Sequence, residues 1–326
     1  MTGKNFPAMA LMATLLVVVF FPANGLSQGS YPERPISIVV GFGAGGVQDL
    51  CTRALSKAAE KELGQPIIVE NKPGGSGVIA IAMVAKAKPD GYTLGHAGTS
   101  QYIQVPVIRQ TPYDPFTDIV DIIKYADLPF GVAVKTDASW NTFEQLLAYA
   151  KASPGKVTYS TAGVGLAHHI CMERIGLEEG IKWVHVPFKS GPEAVTATLG
   201  GHTQVVAQMI PDMVPHLNAG KLKLLLLLSE TRWADFPNVP TILEKGYKFH
   251  AFSSFGIYGP KGLPESIREK LETVIKKATK DSSFLATMKQ LWIEVNVLSG
   301  KEYAARWKPQ YHEMEKVLRT LGLVEK

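Results

Sequence analysis

Cysteines and long apolar runs are scarce in this chain. Its 326 residues include two cysteines, Cys51 and Cys171, and neither has a second cysteine at the spacing of a zinc or redox motif. Each is predicted to lie on a helix in a different half of the chain, so we expect no disulfide between them. The most apolar stretch, Ala8–Phe21, spans about 14 residues, which is shorter than the ~20 that a membrane-spanning helix needs.

That stretch is typical of a secretory signal peptide. Lys4 gives a short basic start, and Ala23, Gly25 and Ser27 supply small residues for cleavage. No cysteine stands at the cleavage region, so a lipid-modified N-terminus is not expected. We therefore predict that residues 1–28 are a signal peptide, removed on export to the periplasm.

The chain also lacks a basic stripe or a charged tail. The formal net charge is +5, but lysines and arginines are scattered among the acids. This pattern argues against nucleic-acid binding, because such proteins concentrate basic residues on one face. A mildly basic surface instead favours anionic ligands.

A glycine-rich loop stands between a predicted strand and a predicted helix at residues 36–53. The run ISIVV is typical of a buried strand, GFGAGG (41–46) follows it, and apolar residues then recur at helical spacing. Such a loop at a helix N-terminus suits an anion. Two interpretations are open: a dinucleotide fingerprint through Gly41, Gly43 and Gly46 with Glu70 on the ribose, or a cradle for a small carboxylate.

The same arrangement recurs along the chain. Small-residue loops are predicted after further strands at 71–77, 95–100, 160–165 and 189–192, and Lys223–Leu228 is predicted to be the central buried strand of the second half. Helix Glu265–Ala278 and a capping box of Ser299 with Glu302 are predicted near the C-terminus. Two α/β halves of this kind create a cleft, and ligands lie at the carboxyl ends of such strands.

Seven segments in register resemble one protein family, the Bug proteins, which are TctC-like extracytoplasmic receptors of tripartite tricarboxylate transporters. The resemblance covers essentially the whole mature chain. The segments are YPERPI (31–36), GFGAGGVQD (41–49), VENKPGGSG (69–77), PDGYTL (89–94), YSTAGVG (159–165), VPFKSG (186–191) and PHLNAGKL (215–222).

The resemblance implies an α/β fold of the two-lobed periplasmic-binding-protein type (type II, flytrap) with two crossover segments. Residues 29–128 and 249–326 would form lobe 1, and residues 129–248 lobe 2. It also implies a monomeric receptor that captures a small organic acid between the lobes and delivers it to the membrane subunits of the transporter.

The ligand-binding residues implied by the resemblance come from both lobes. In lobe 1 they are Phe42, Gly43, Ala44, Gly45, Gly46, Asp49, Ser76, Thr99 and Ser100. In lobe 2 they are Thr161, Ala162, Gly163, Gly165, His168, Lys189 and Ser190. The aromatic rings of Phe42 and Phe188 flank the two loops and are candidates for enclosing an apolar ligand body.

Catalysis finds little support in the sequence. Residues 98–102 do not match the G-x-S-x-G nucleophile elbow, and no G-x-x-x-x-G-K-[ST] phosphate loop is present. We expect no catalytic residue, metal or cofactor. Two alternatives stay open: a dinucleotide-dependent oxidoreductase that uses loop 41–46, and a sensory domain of the same fold.

Overall fold

Two separate β-sheets organise the part of the chain that the computed structural model describes, namely residues 1–3, 31–233 and 235–324. The predicted signal peptide lies outside this part except for its first three residues. Residues from Pro32 onward form one unit.

Strands and helices alternate through most of this unit. The strands are β1 (Ile36–Val40), β2 (Ile67–Asn71), β3 (Thr93–Gly98), β4 (Ile119–Asp127), β5 (Phe130–Lys135), β6 (Thr158–Thr161), β7 (Val184–Pro187), β8 (Val205–Met209), β9 (Leu222–Leu227), β10 (Ser254–Pro260) and β11 (Glu294–Ser299). The helices are α1 (Val47–Leu63), α2 (Val78–Ala85), α3 (Thr99–Ile103), α4 (Val105–Ile108), α5 (Phe143–Ala152), α6 (Ala167–Glu179), α7 (Gly191–Leu199), α8 (Ile210–Asn218), α9 (Glu265–Ala278), α10 (Ser282–Gln290) and α11 (Gly300–Thr320).

The first sheet has the order β11-β4-β10-β3-β1-β2. Strand β1 is parallel to both β2 and β3, whereas β10 runs antiparallel to β3 and β4. The parallel strands therefore deliver their following loops to one edge of the sheet, where ligands of α/β proteins bind.

The second sheet has the order β7-β6-β8-β5-β9, with β6 parallel to β7 and β8. The leucine-rich strand β9 lies at the edge, so the prediction that it is central was wrong. Its burial comes from the segment that follows it: Leu227 N donates to the Pro240 carbonyl and Ala251 N to the Leu228 carbonyl, each at 2.9 Å. A covering segment can bury an edge strand as well as a second neighbouring strand can.

The chain crosses between the sheets twice, which confirms the predicted fold class. Strand β4 passes to β5 through Leu128 and Pro129, and β9 returns to β10 through a longer segment. The crossovers lie side by side, because Leu128 N donates to the Ser253 carbonyl at 3.0 Å.

The predicted loop at 95–100 is instead the end of β3 and the start of α3. Gly98 pairs with Phe255 of β10, so the strand continues through the small residues. Gly95 is small for a packing reason, since a Cβ there would lie 2.0 Å from the Tyr258 ring. By contrast, α9 has the predicted bounds, and the Ser299–Glu302 capping box is confirmed.

Candidate functional site

A cavity of about 170 Å³ lies where loops from the two sheets meet. On the first side it is bounded by the loops after β1 and β2 and by the end of α4, and on the second side by the loops after β6 and β7. Its lining residues are Gly41, Phe42, Gly74, Gly75, Ser76, Arg109, Ala162, Gly163, Val164, Pro187, Phe188 and Lys189. The glycine-rich loops of the two halves thus share one cavity.

The two sets of loops are in direct contact around this cavity. Ser76 Oγ donates a hydrogen bond to the Val164 carbonyl at 2.8 Å. A Cβ on Gly163, whose φ is +153°, would lie 2.5 Å from the same Ser76 Oγ. Glycine is therefore required at 163 both by the backbone and by the closeness of the opposite loop.

Many of the loop amides are already paired within the chain, although the sequence predicts loops whose amides suit an anion. Three bonds show this: Gly45 N to Asp49 Oδ2 at 2.9 Å, Gly163 N to Thr161 Oγ1 at 3.2 Å, and Gly165 N to His169 Nδ1 at 3.1 Å. Side chains within or just after each loop hold its backbone in shape. This preorganises the cavity and leaves fewer amides for a ligand.

Asp49 has this supporting role in the first loop. Besides Gly45, its carboxylate accepts hydrogen bonds from Asn71 Nδ2 and Arg53 Nε, both at 3.0 Å. Burial alone would raise the pKa of Asp49, but the bonds from Arg53, Gly45 and Asn71 hold it below its usual value. Asp49 is thus an ionised positioning residue with its acceptor sites occupied.

The N-terminus of α1 is capped by Asp212 of α8, a residue that sequence reasoning missed. Gly46 at the N-cap position has no side chain to accept a bond, and Val47 N instead donates to Asp212 Oδ1 at 3.3 Å. Gln208 Nε2 donates to the other carboxylate oxygen at 2.7 Å. Burial raises the pKa of Asp212 to about 6. A protein carboxylate thus occupies the anion position expected for a ligand at this helix end.

Arg109 is a second residue that sequence reasoning missed. Its Nη2 donates to the Gly75 carbonyl at 2.6 Å, and its Nε is buried with no partner among the described residues. The available signal was weak: Arg109 is the sole arginine between Arg53 and Arg174 and follows the short apolar run 105–108. Arg109 and the exposed Lys189 are the two cations of the cavity lining. Among the described residues, the lining contains no carboxylate.

Other predicted site residues lie away from the cavity lining. Thr99 Oγ1 lies 2.7 Å from both Ser254 Oγ and Tyr303 OH inside the first half, and Ser100 Oγ lies 3.4 Å from Ser253 Oγ. Ser190 Oγ caps α7 by accepting from Glu193 N at 3.4 Å.

His168 is also remote from the lining. It stacks on Phe130 at 5.3 Å, and neither ring nitrogen has a partner among the described residues. Burial, with a smaller effect of His185, lowers the pKa of His168 to about 3, so the ring is neutral. Of the predicted set, Phe42, Ser76, Ala162, Gly163 and Lys189 line the cavity.

The first glycine loop has little room for a dinucleotide. A Cβ on Gly43 would lie 3.3 Å from Ser190 Cβ, and one on Gly46 would lie 3.6 Å from Pro192 Cδ. The second half therefore covers the face on which a pyrophosphate would rest.

Neither a metal centre nor a membrane-spanning helix is found in the described ranges. No three histidine, cysteine or acidic side chains there are grouped so as to hold a metal ion. None of the helices described has the length and hydropathy that crossing a bilayer requires. Cys51 and Cys171 are both buried and free.

Two sheets joined by two crossovers, with a cavity between their loops, define a solute-binding protein of the periplasmic type. The family model for the tripartite tricarboxylate transporter family receptor, TctC, matches residues 51–323. The chain belongs to this family, which is one of solute-binding receptors. This membership, together with the covered loop, leaves the oxidoreductase hypothesis without support.

Individual relatives are similar over nearly their whole length. The chain is 37% identical over 328 residues to the Cupriavidus necator "UPF0065 protein in gbd 5'region", covering 100% of this chain and 99% of that protein. The solved periplasmic binding protein BugD is 30% identical with a TM-score of 0.86, covering 91% of this chain and all of the other. Rpa4515 of R. palustris, solved with adipate, is 26% identical with a TM-score of 0.85, covering 90% and 98%.

Proposed function

We propose that the mature chain is a periplasmic receptor that captures a small organic carboxylate in the 170 Å³ cavity and delivers it to the membrane subunits of a tripartite tricarboxylate-type transporter. The observation that carries this proposal is the charge of the lining, in which Arg109 and Lys189 are the charged side chains among the described residues. The cavity is smaller than the ~300–1,000 Å³ typical of drug-sized ligands, which favours a compact acid.

The lining suggests how such an acid would be held. Arg109 would bind a carboxylate through the N–H groups that Gly75 does not use, because a guanidinium presents several donors in one plane. Lys189 would supply a second positive charge at the open side. Phe42 and Phe188, which line the same cavity, would contact the carbon skeleton. That the related Rpa4515 was solved with the dicarboxylate adipate supports this ligand class.

Capture would depend on closure of two lobes. We assign residues 29–128 and 249–326 to lobe 1 and residues 129–248 to lobe 2, because the two sheets divide the chain at the crossovers in this way. The contacts of Ser76 with Val164 and of Val47 with Asp212 join the lobes in the closed form. Closure would change the outer surface that the membrane subunits contact, so occupancy would be coupled to docking.

Thermal unfolding of the mature chain with a panel of acids tests this proposal. Succinate, adipate, citrate and benzoate would each be compared with a neutral amide of similar shape. A ligand at 100 times its Kd stabilises the folded state by ~2.7 kcal/mol, which is readily measured. The proposal expects at least one acid, and not its amide, to raise the melting temperature without being consumed; failure of every acid would refute it.

Two substitutions locate the site. Arg109→Gln should weaken binding of the acid that gives the largest shift, whereas Arg306→Gln, which changes an exposed arginine on α11, should leave it unchanged. Equal effects of the two substitutions would contradict the assigned position of the ligand. Arg109→Lys keeps the charge but not the planar set of donors, so we expect an intermediate affinity.

A further inference from the structure

A second and larger cavity, of about 950 Å³, lies on the side of the crossover that leads to β10. Residues of α6 and of the segment 243–252 form one wall, and residues of α3 and α11 form the other. It shares no lining residue with the 170 Å³ cavity. We call it the crossover cavity.

Arg174 of α6 is the notable polar group of the crossover cavity. Its guanidinium carbon lies 3.8 Å from the centre of the Phe249 ring. A guanidinium that is stacked on an aromatic ring keeps its N–H donors in the plane, where they remain available to a planar acceptor. Within residues 31–233 and 235–324, no group accepts a hydrogen bond from Arg174 or forms an ion pair with it.

The charges around Arg174 leave this cation without a close partner. Glu178 lies one turn further along α6 and interacts with it only at longer range. Glu230 is engaged by His250, whose Nε2 is 3.3 Å from its carboxylate, while Lys248 and Glu313 are exposed lining residues. Arg174 is half-buried, and its burial lowers the pKa of the guanidinium although Cys171 and Glu178 act in the opposite direction.

The rest of the lining is largely apolar and partly open to solvent. Ile170 is buried, whereas Leu243 is 39% exposed and Phe252 is 38% exposed. Met314 of α11 also lines the cavity and packs against the cluster that contains Ile170. Gln104 adds a buried Oε1 that has no hydrogen-bond donor among the described residues. One unpaired planar cation beside apolar walls matches a ligand with an acidic head and an apolar body.

We propose that the crossover cavity binds an amphipathic monocarboxylate, whose carboxylate pairs with Arg174 and whose aromatic or medium-length aliphatic body lies against Ile170, Leu243 and Met314. This site goes beyond the proposed function and does not depend on it. Because its lining comes from helices of both halves of the chain, an occupant would also stabilise the closed arrangement.

Calorimetric titration of the mature chain with phenylbutyrate and octanoate, each beside its neutral amide, tests the proposal. We expect the acids to bind and the amides to bind at least tenfold more weakly, since a charge-assisted bidentate pair typically accounts for that difference. Arg174→Gln should weaken the acids by about the same factor, whereas Lys248→Gln, which removes an exposed cation from the same lining, should change affinity less than about twofold.

The proposal would be overturned by no binding of either acid at millimolar concentration, by equal binding of acid and amide, or by unchanged affinity in Arg174→Gln. Should Arg174→Gln fail to fold, Leu243→Asp replaces it, because this exposed position tolerates a charge that should repel the acid. Arg109→Gln separates the two sites: loss of binding in that variant would place the acid in the 170 Å³ cavity and refute the second site. Retained binding would support it whatever the small-acid panel shows.

Discussion

Replacing Gly163 by alanine should impair ligand binding by preventing the loops from closing. The added Cβ would lie 2.5 Å from Ser76 Oγ and 3.3 Å from Ser76 Cβ, both on the opposite loop. Overpacking of this kind costs about 1–3 kcal/mol. Because that cost falls on the closed form, the Kd for the acid should rise by about 5- to 140-fold.

Two further variants make this prediction specific. Gly220→Ala also places a Cβ at a positive φ, +64°, but with no atom within 4 Å, so it controls for an added Cβ that meets no opposite loop and should leave the Kd unchanged. Adding Ser76→Ala to Gly163→Ala removes the clashing oxygen and should restore part of the affinity. Titration calorimetry measures all four proteins. Wild-type affinity in Gly163→Ala, or no recovery in the double variant, would refute the reasoning.

Other predictions concern pH, backbone strain and ligand charge. Burial raises the folded-state pKa of Asp212 to about 6 from the ordinary 3.8, so its ionisation reduces the stability of the protein as the pH rises through about 4 to 6. The melting temperature of Asp212→Asn should therefore exceed that of the wild type by more at pH 7.5 than at pH 4.5. A difference that does not change with pH would contradict this. Trp292 packs on Phe236 with ring centroids 4.7 Å apart, and its φ is +54°, a conformation that glycine adopts more easily than alanine. Trp292→Gly should therefore be more stable to urea than Trp292→Ala by about 1 kcal/mol. The reverse order would show that the backbone of Trp292 is not strained. Arg109→Gln should raise the Kd for the acid by about tenfold or more in calorimetry, and an unchanged Kd would exclude a direct contact.

The sequence predicted the fold class because its cues are local and agree with one another. Alternating strands and glycine-rich loops indicated parallel α/β halves, and α9 began and ended where the amphipathic pattern placed it. The position of β9 in its sheet could not be predicted in this way. Five consecutive leucines indicate burial, but the partner that buries them, the segment ending at Ala251, is distant in the chain.

The candidate site was predictable in its loops and in Lys189, but not in Arg109 or Asp212. The resemblance to the receptor family implied Phe42 and Gly163 as site residues, and both line the cavity. Arg109 and Asp212 reach the site from helices without any such signal, and only the packing of α4 and α8 brings them there. Thr99 was predicted to be a loop hydroxyl, but β3 extends to Gly98 by pairing with β10, and Thr99 begins α3, where its hydroxyl bonds Tyr303.

The most direct measurement of the central claim is a calorimetric titration of the mature protein with a dicarboxylate and, separately, with its diamide, using adipate as the first probe. Because Arg109 and Lys189 line the cavity, we expect the diacid to bind saturably at one site and its affinity to fall with added salt. The diamide should give no measurable heat. Equal binding of both compounds, or binding of neither adipate nor any other acid of the panel, would contradict the account.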